Sequence, residues 1–554
     1  MSNFKLRYVA LGGVGDVTKN MHVYELYQND KLKDILIVDC GIGFPAEKEL
    51  GIDFVIPDIS YLEDKKDKIK AIILSHGHED HTSALPFHYA ALGQPPVFAS
   101  KLTAIFSENK LKEHGISIKI NQVNPTKTYR FGDFEVLFIK MTHSIPDTLH
   151  LFIKTPVGNF YHGQDFKLDL TPPYGPPPEF EKITQAGKEG VLCLLSDCLG
   201  TEREGLTLSE KVVGKTFEDE MRKTKGKFIM TTFSSNISRI RQCVEAAVKF
   251  NRKIVFLGRS MKENTRLAIE NGYLPIPPSF LIKEEEAKKF PPQKLCLIVA
   301  GSQGQYDSAL AKLSMDQNPN IKITPGDKVI FSSDPIPGNE NDVYALIEDL
   351  IEKGAEVIYS EIGEQLHSSG HGNQEDLKFL IRFTKPKYFI PIGGTVRHQK
   401  QYQKIVADLD FDKNLVFLLK EGESVWFFEN KAFLGEKIET KNIYVDAYGV
   451  GDVGNIVLRD RKTLSTEGMV IVFLIFDNKG RLLTAPKIIS RGFVFEKEEK
   501  KLYQKAKDLI EILTKPHHHF HPNEIKRVII DSLEDLFYQE KGRKPLIVVE
   551  TIVI

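Results

Sequence analysis

Residues 75–81, SHGHEDH, constrain this chain more than any other segment, because they place three histidines and an aspartate within six residues. They follow the apolar run at residues 71–74, which is typical of a short buried strand. The candidate ligands therefore lie on a turn after a strand, where several side chains can point to one place. Imidazole nitrogens and carboxylate oxygens suit zinc and similar divalent ions. The pattern predicts a metal centre rather than a polar turn without ligands.

The spacing within this motif predicts two ions rather than one. His76 and His78, two residues apart across a glycine, can bind one ion from the same side. Asp80 and His81 are adjacent and are expected to diverge toward a second ion. Two ions about 3.5–4 Å apart are common in phosphoester hydrolysis, because they hold both the attacking and the leaving oxygen.

Two later segments offer further ligands. His143 follows the strand-like segment at residues 134–139, and Asp165 follows the one at residues 158–161. Beside the first cluster, His143 is expected to be a ligand rather than an ordinary loop histidine. Asp165 is expected to bridge both ions through its two carboxylate oxygens.

Asp39 is a candidate partner of a ligand histidine. It directly follows the apolar run at residues 35–38. Ligating histidines usually donate their second N–H to a carboxylate or a carbonyl, which fixes the tautomer. A turn aspartate before Gly41 is the alternative, and the sequence leaves both interpretations open.

These ligands, taken together, resemble the metallo-β-lactamase fold. Other segments are similar to bacterial ribonuclease J, in the β-CASP branch of that fold, from about Tyr8 to the C-terminus. The segments that carry this resemblance are ALGGVGDVTKNM, LGIDFVIPDISYL, HSIPD, GQDFKLDLTP, GKEGVLCLLSD, TTFSSNISRIRQ, AGSQGQ, SSDPIPGNE, HSSGHGNQEDLK and GVGDVGNIVLRDR.

The resemblance implies an α/β fold: an αββα metallo-β-lactamase sandwich, an inserted α/β β-CASP domain and a small α/β C-terminal domain. The expected boundaries are 1–208 and 359–430 for the sandwich, 209–358 for the insertion, 431–446 for a linker and 447–554 for the C-terminal domain. It also implies a metal-dependent ribonuclease with 5′→3′ exonuclease activity on 5′-monophosphorylated RNA, in rRNA maturation and mRNA decay. Endonuclease activity is a further expectation.

Two loops rich in glycine, serine and asparagine are expected to bind phosphate. Small residues let backbone N–H groups approach an anion, and a helix N-terminus attracts phosphate, although such residues are also ordinary in turns and caps. The resemblance places both loops in a pocket for the RNA 5′-monophosphate. The expected substrate-binding residues are Phe233, Ser234, Ser235, Asn236, His367, Ser368, Ser369, Gly370 and His371.

Asp80, His371 and Asp197 are the catalytic residues that the resemblance implies. His371 is expected to contact phosphate or transfer a proton. Asp197 is expected either to orient a ligand histidine or to cap the segment that follows it.

One segment departs from the family pattern. The family usually has P-(I/V)-H-G-E, whereas this chain has PIGGTVRH at residues 391–398, so Gly393 replaces a ligand histidine and Thr395 the glutamate. Water, His398 and His162 are the candidates for the missing metal ligand. Zn²⁺ is therefore expected at two sites with the second impaired, and Mn²⁺ or Mg²⁺ is an alternative. A weakly active or inactive RNA-binding paralogue is the competing function.

Composition limits the remaining possibilities. With a net charge of −1, RNA binding must use local basic clusters. The longest apolar run, residues 469–476, has the length of a strand, so no membrane segment is expected.

The five scattered cysteines indicate reduced thiols, and no secretory signal is evident, so a cytoplasmic location is expected. The histidine-rich residues 516–521 are interpreted as a surface loop rather than a metal site. The resemblance implies a homodimer, a homotetramer or a hetero-oligomer with a paralogue.

Overall fold

A computed structural model describes residues 3–46, 49–336, 338–360, 362, 366–446, 449–451, 453–478, 480–494, 496–515 and 522–554. The histidine-rich segment at 516–521 lies outside the described residues. The chain divides into two compact units, Met1–Phe44 with Val55–Ile443, and Pro45–Phe54 with Tyr444–Ile554. The domain boundaries expected from the sequence stay predictions.

The first part of the chain is rich in short strands, each ended by a turn. Its strands are β1 (Phe4–Gly12), β2 (Met21–Gln28), β3 (Lys31–Val38), β4 (Phe54–Ile56), β5 (Ile69–Leu74), β6 (Val97–Ala99), β7 (Asn121–Gln122), β8 (Thr128–Phe131), β9 (Phe134–Lys140), β10 (Leu149–Thr155), β11 (Gly158–Gly163) and β12 (Cys193–Asp197). Its helices are α1 (Glu79–Thr82), α2 (Leu85–His88), α3 (Lys101–Glu113) and α4 (Phe180–Glu189), with 3₁₀ turns at Ser60–Lys68 and Leu199–Glu202.

The inserted segment alternates helices with parallel strands, as the sequence predicts. Its elements are α5 (Lys211–Lys223), β13 (Phe228–Thr231), α6 (Ile237–Lys249), β14 (Lys253–Leu257), α7 (Arg259–Glu270), β15 (Leu295–Val299), α8 (Ala309–Ser314), β16 (Lys328–Phe331), α9 (Glu340–Glu352) and β17 (Glu356–Ile358), with 3₁₀ turns at Glu284–Lys289 and Pro292–Lys294. The strands form a five-stranded sheet in the order β14-β15-β13-β16-β17. Apart from Thr231, Lys253, Lys328 and Glu356, which lie at strand ends, the strand residues are apolar, as expected when helices cover both faces of a sheet.

The chain then returns to the first domain. The returning elements are α10 (Gln374–Thr384), β18 (Tyr388–Ile392), α11 (Val396–Asp408), β19 (Ser424–Phe428) and β20 (Lys431–Leu434), with a 3₁₀ turn at Lys413–Leu415. An eight-stranded sheet has the order β20-β19-β1-β2-β3-β5-β6-β7, and a six-stranded sheet has the order β18-β12-β11-β10-β9-β8. Their apolar inner faces share one core, in which Tyr24 and Leu36 of the first sheet accompany Phe138 and Leu151 of the second.

Neighbouring strands of the six-stranded sheet bring distant segments to one edge. β11 runs parallel to β12, and β12 runs parallel to β18. Gly163 pairs with Ser196, and Asp197 pairs with Ile392, so the carboxyl ends of the three strands are level. The residues that follow these strands are therefore neighbours in space.

The remaining elements are β21 (Ile443–Asp446), β22 (Gly449–Val450), α12 (Asn455–Glu467), β23 (Met469–Phe476), β24 (Lys487–Arg491), α13 (Glu496–Leu513), α14 (Pro522–Lys541) and β25 (Leu546–Val553). β23 confirms the strand predicted at residues 469–476, and its alternate residues are buried. Val470 and Val472 of this strand share a core with Ile529 and Leu533 of α14. None of the helices in the described ranges is long and apolar enough to cross a bilayer.

All five cysteines are free and buried. Burial raises the pKa of the Cys193 and Cys198 thiols well above the ordinary value, so these thiols stay protonated.

Candidate metal centre and nucleic-acid site

The metal-binding motif begins directly after β5. The strand ends at Leu74, and α1 begins at Glu79, so the turn between them holds His76 and His78 while the helix start holds Asp80 and His81. His143 follows β9 by three residues, and Asp165 follows β11 by two. The two sheets therefore bring these six side chains together.

Four side chains form the first ligand group: His76, His78, His143 and Asp165. His78 Nδ1 lies 3.1 Å from His76 Nε2 and 3.2 Å from His143 Nε2. Asp165 Oδ2 lies 3.7 Å from His76 Nε2 and 3.8 Å from His143 Nε2. A tetrahedral zinc ion with Zn–N bonds of 2.0–2.1 Å separates its ligand atoms by about 3.3 Å. The group therefore fits one divalent ion.

Hydrogen bonds around this group fix the tautomers that a metal requires. Ser75 Oγ donates to Asp39 Oδ2 at 2.9 Å, so its lone pair accepts the Nδ1–H of His76, also at 2.9 Å. His143 Nδ1 donates to the Gly370 carbonyl at 2.6 Å. In His76 and His143 the Nε2 atom therefore keeps its lone pair and points into the group.

The imidazoles of the first group are neutral. Burial lowers the pKa of His78 to about 3, and it lowers the pKa of His76 and of His143 well below the ordinary value. A metal binds the neutral imidazole, so no proton has to leave these three rings before an ion binds near neutral pH.

The second ligand group contains Asp80, His81 and Asp165. His81 Nε2 lies 3.4 Å from Asp165 Oδ2 and 3.5 Å from Asp80 Oδ2. Burial acts to lower the pKa of His81, but the carboxylates of Asp165, Asp80 and Asp39 outweigh it and raise that pKa well above its ordinary value. This concentration of carboxylates attracts a cation.

Asp39 contacts His81 of the second group directly and reaches His76 of the first group through Ser75. Its Oδ2 atom accepts hydrogen bonds from His81 Nδ1 at 2.8 Å, from Ser75 Oγ at 2.9 Å and from Gln164 Nε2 at 3.1 Å. The Asp39 carboxylate thus lies against His81, a predicted ligand, while its role in holding a metal-bound histidine stays a prediction.

Gly393 lies where a further ligand of the second group would project. A Cβ built there would lie 3.6 Å from both Asp165 Oδ1 and Asp197 Oδ1, with no closer neighbour. His398, one candidate for the gap, uses Nδ1 to accept from the Thr395 N–H at 3.2 Å, in the capping box of α11.

The other nitrogen of His398, Nε2, lies 3.5 Å from Glu202. His162, the second candidate, bonds Tyr24 through Nδ1 at 2.8 Å. Within the described ranges, neither histidine joins a ligand group.

Asp197 and His371 form a pair beside the second group. His371 Nδ1 donates to Asp197 Oδ2 at 2.8 Å, and His371 Nε2 lies 3.9 Å from Asp165 Oδ2. Asp197 Oδ1 also accepts the Leu199 N–H at 2.9 Å. Asp197 thus contacts His371 rather than a predicted ligand histidine, and it caps the following turn. Burial acts to lower the pKa of His371, but the Asp197 and Asp165 carboxylates outweigh it and raise that pKa to about 9.

A cavity of about 1290 Å³ opens onto both ligand groups. Both predicted phosphate loops reach it, and these members line it: Phe233, Ser234, Ser235, Asn236, His367, Ser369, Gly370 and His371. Ser368 is absent from this lining, because its hydroxyl donates to the Leu208 carbonyl at 2.5 Å and accepts from Lys167 Nζ at 2.8 Å. The cavity wall also gathers the cations Lys110, Arg203, Arg259, Lys262, Arg266 and Arg397.

Four stretches of the chain match known domain families. Residues 21–164 match the metallo-beta-lactamase superfamily, and residues 225–350 match the ribonuclease J beta-CASP domain. Residues 358–414 match the Zn-dependent metallo-hydrolase RNA specificity domain, and residues 456–554 match the ribonuclease J C-terminal domain.

Complete relatives extend this likeness over nearly the whole chain. The chain is 37% identical over 546 residues to ribonuclease J 1 of Streptococcus pyogenes, an alignment that covers 97% of this chain and 96% of that protein. It is 37% identical over 550 residues to ribonuclease J2 of Bacillus subtilis, which covers 98% of each. The chain belongs to the ribonuclease J family.

Membership of the ribonuclease J family confirms the predicted fold class and the predicted enzyme class, a metal-dependent hydrolase that acts on RNA. A crystal structure of a protein of unknown function from Enterococcus faecalis V583 matches 76% of this chain and 100% of its own, with a TM-score of 0.54 and 16% identity. At that identity the likeness concerns the fold alone.

Two serine hydroxyls of this ribonuclease J family member lie beside ligand histidines and were not predicted from the sequence. Ser75 holds His76, and Ser144 Oγ lies 3.2 Å from His78 Nε2. Each serine is adjacent in sequence to a predicted ligand, so a search for hydroxyls beside the ligand histidines would have found both.

Proposed function

We propose that this chain binds zinc at the first ligand group and removes nucleotides from the 5′-monophosphorylated end of RNA in the 5′→3′ direction. The observation that carries the proposal is that the ligand groups and both phosphate loops open onto the same cavity. A phosphate pocket beside the reacting bond anchors the 5′ end, so cleavage proceeds from that end. Internal cleavage of RNA is a second activity of the same cavity.

The side chains have separate tasks in this proposal. His76, His78, His143 and Asp165 would hold a first ion, and Asp80, His81 and Asp165 would hold a second. When bound, divalent ions lower the pKa of water toward neutrality and neutralise charge on the phosphate; Mn²⁺ or Mg²⁺ can supply the same chemistry.

His371 acts as the proton donor to the leaving 3′ oxygen. Its Nδ1 is held by Asp197, which leaves Nε2 directed toward Asp165 and the cavity. The Asp197 carboxylate, 2.8 Å from Nδ1, favours the protonated imidazole, which can donate a proton and stabilise charge on the phosphoryl oxygens.

The absent ligand at Gly393 favours a second candidate function. With three ligands in the second group, the chain would be a weakly active or inactive subunit that binds RNA and pairs with an active paralogue.

In the first candidate function the chain forms a homodimer or homotetramer, and it acts in rRNA maturation and mRNA decay. Five reduced thiols support a cytoplasmic location for either function.

The decisive assay incubates the pure protein with Zn²⁺ or Mn²⁺ and 5′-monophosphorylated RNA. We expect the parent to release mononucleotides and Asp80→Ala to release at least about a hundredfold fewer. Asp408→Ala, which changes an exposed aspartate at the end of α11, is the matched control. RNA binding without product at any metal concentration would contradict the nuclease and support the paralogue.

A further inference from the structure

A buried guanidinium lies directly behind the two phosphate loops. Arg239, in α6, is completely buried, and its backbone N–H is capped by Asn236 Oδ1 of the first loop at 3.1 Å. Its Nη2 atom donates to the Ser368 carbonyl of the second loop at 2.9 Å. Arg239 therefore contacts both loops, the first through its backbone N–H and the second through its guanidinium.

The guanidinium is held in place by an ionised carboxylate. Arg239 Nε donates to Glu210 Oε1 at 2.7 Å, and Lys167 Nζ donates to Glu210 Oε2 at 3.0 Å. Burial acts to raise the pKa of Glu210, but Arg239 and Lys167 outweigh it and lower that pKa. The same Lys167 donates to Ser368 Oγ at 2.8 Å, so the cluster holds Ser368 through both its carbonyl and its hydroxyl.

The contact with His367 has a chemical consequence. Arg239 Nη1 lies 2.6 Å from His367 Nδ1. Because an arginine can only donate, Nδ1 must be the acceptor, and the hydrogen of a neutral imidazole must then be on Nε2. Burial and the Arg239 charge lower the pKa of His367 well below its ordinary value, and the Ser332 carbonyl offsets this only in part.

The other edge of the His367 ring faces the cavity. Its Nε2 atom lies 3.5 Å from Asp334 Oδ2, which is longer than an ordinary N–H···O hydrogen bond. Asp334 itself accepts from Arg203 Nη2 at 3.2 Å, so a cation already balances that carboxylate. The His367 Nε2 atom thus lies on the Asp334 side of the ring without a short bond to Asp334, and both residues line the cavity.

We infer that Arg239 is a positioning residue: it holds His367 as the tautomer with hydrogen on Nε2, which donates to the RNA 5′-phosphate. The inference rests on the proposed function, because it assigns a binding role within the proposed phosphate pocket. Arg239 itself contacts no substrate.

The test compares 5′-monophosphorylated with 5′-hydroxyl RNA of the same sequence, by anisotropy binding with metal present and by kcat/KM. Arg239→Lys keeps the charge but cannot form the same set of bonds, so the preference for the phosphorylated RNA should fall at least about tenfold. Arg252→Lys is the matched control. Arg252 is a buried arginine of the same domain that donates to the Gly226, Leu295 and Thr224 carbonyls, and its change should leave the preference as it is.

Two substitutions of His367 keep the test decisive if Arg239→Lys fails to fold, as judged by thermal melting. His367→Gln can place an amide N–H near the position of Nε2 and should keep the preference within about threefold, whereas His367→Phe should lose it. A folded Arg239→Lys with the parent's preference would overturn the inference, and so would equal losses in the two His367 variants. A parent without any 5′-phosphate preference would contradict the proposed pocket itself and the inference with it.

Discussion

Asp39 Oδ2 lies 2.8 Å from His81 Nδ1, and the same oxygen reaches His76 through the hydroxyl of Ser75. One carboxylate oxygen therefore orients a histidine of each ligand group. Such outer carboxylates make the ligand imidazole more basic and fix its direction, so the two ligand groups share one support.

Replacing Asp39 with asparagine should weaken zinc binding about 10- to 100-fold, because an amide cannot accept all of these hydrogen bonds. The backbone of Asp39 has φ of 64°, a conformation that asparagine also tolerates, so the substitution tests the charge rather than the fold. Zinc titration followed by calorimetry measures the effect. Asp410→Asn, at an exposed aspartate with φ of 61°, is the control, and equal affinity in the two variants would contradict the prediction.

Restoring a ligand at Gly393 should raise the metal content of the chain. A Cβ at this position meets only the Asp165 and Asp197 oxygens at 3.6 Å, so Gly393→His has room to direct an imidazole toward the second group. The φ of 64° imposes a strain of about 1–2 kcal/mol. Mass spectrometry under native conditions should count more ions per chain than in the parent. Gly393→Asn, which adopts the same backbone without an imidazole, should match the parent; an unchanged count in Gly393→His would count against an impaired second site.

Loss of the Asp197 charge should slow cleavage more than it weakens RNA binding. Asp197→Asn keeps an acceptor for the Leu199 N–H but removes the carboxylate that holds His371. General acid catalysis contributes about 10²- to 10⁴-fold, so kcat should fall by at least about a hundredfold while KM changes little.

Asp412→Asn is the control for that measurement, because Asp412 caps the Asn414 N–H at 2.9 Å in the same manner, in a segment with no proposed role in the site. A variant at Asp197 that retains the parent's kcat would show that His371 does not donate the proton.

His88 should make the folded protein sensitive to acid. Burial lowers the pKa of His88 to about 4, although the Pro57 carbonyl and Asp58 act in the opposite direction. Since the unfolded chain has a histidine pKa near 6.5, the stabilisation is complete above that value and is lost as the pH falls toward 4. Between pH 7 and pH 4.5 this amounts to about 2 kcal/mol.

His88→Gln should remove that share of the pH dependence, as measured by denaturant unfolding at both pH values. His114→Gln, at an exposed histidine that follows α3 and whose pKa is also lowered by partial burial, should reduce the dependence by less than His88→Gln does. The same pH dependence in His88→Gln and the parent would show that His88 is already protonated in the folded state.

The sequence was most informative where ligands are contiguous or directly follow a strand. The HGHEDH motif, His143 and Asp165 could be predicted because a strand end places its next residues at a sheet edge. The direction of a single side chain could not be predicted in this way. Ser368 belongs to a predicted phosphate loop, yet its hydroxyl points to Leu208 and Lys167.

Contacts between distant segments were also beyond the sequence. Arg239 and His367 are 128 positions apart, and no periodicity relates them. Asp197 was predicted to act on a ligand histidine or as a cap, but its partner His371 became evident only when β12 and the loop before α10 were in place. The departure at Gly393 was visible in the sequence, while the engagement of His398 in its own helix cap was not.

Anomalous X-ray scattering at the zinc edge, from crystals grown with Zn²⁺, tests the central claim most directly. We expect a peak about 2.0–2.1 Å from His76 Nε2, His78 Nδ1 and His143 Nε2, with Asp165 as the fourth ligand. No peak among these four side chains, in crystals where zinc is bound elsewhere or not at all, would contradict it.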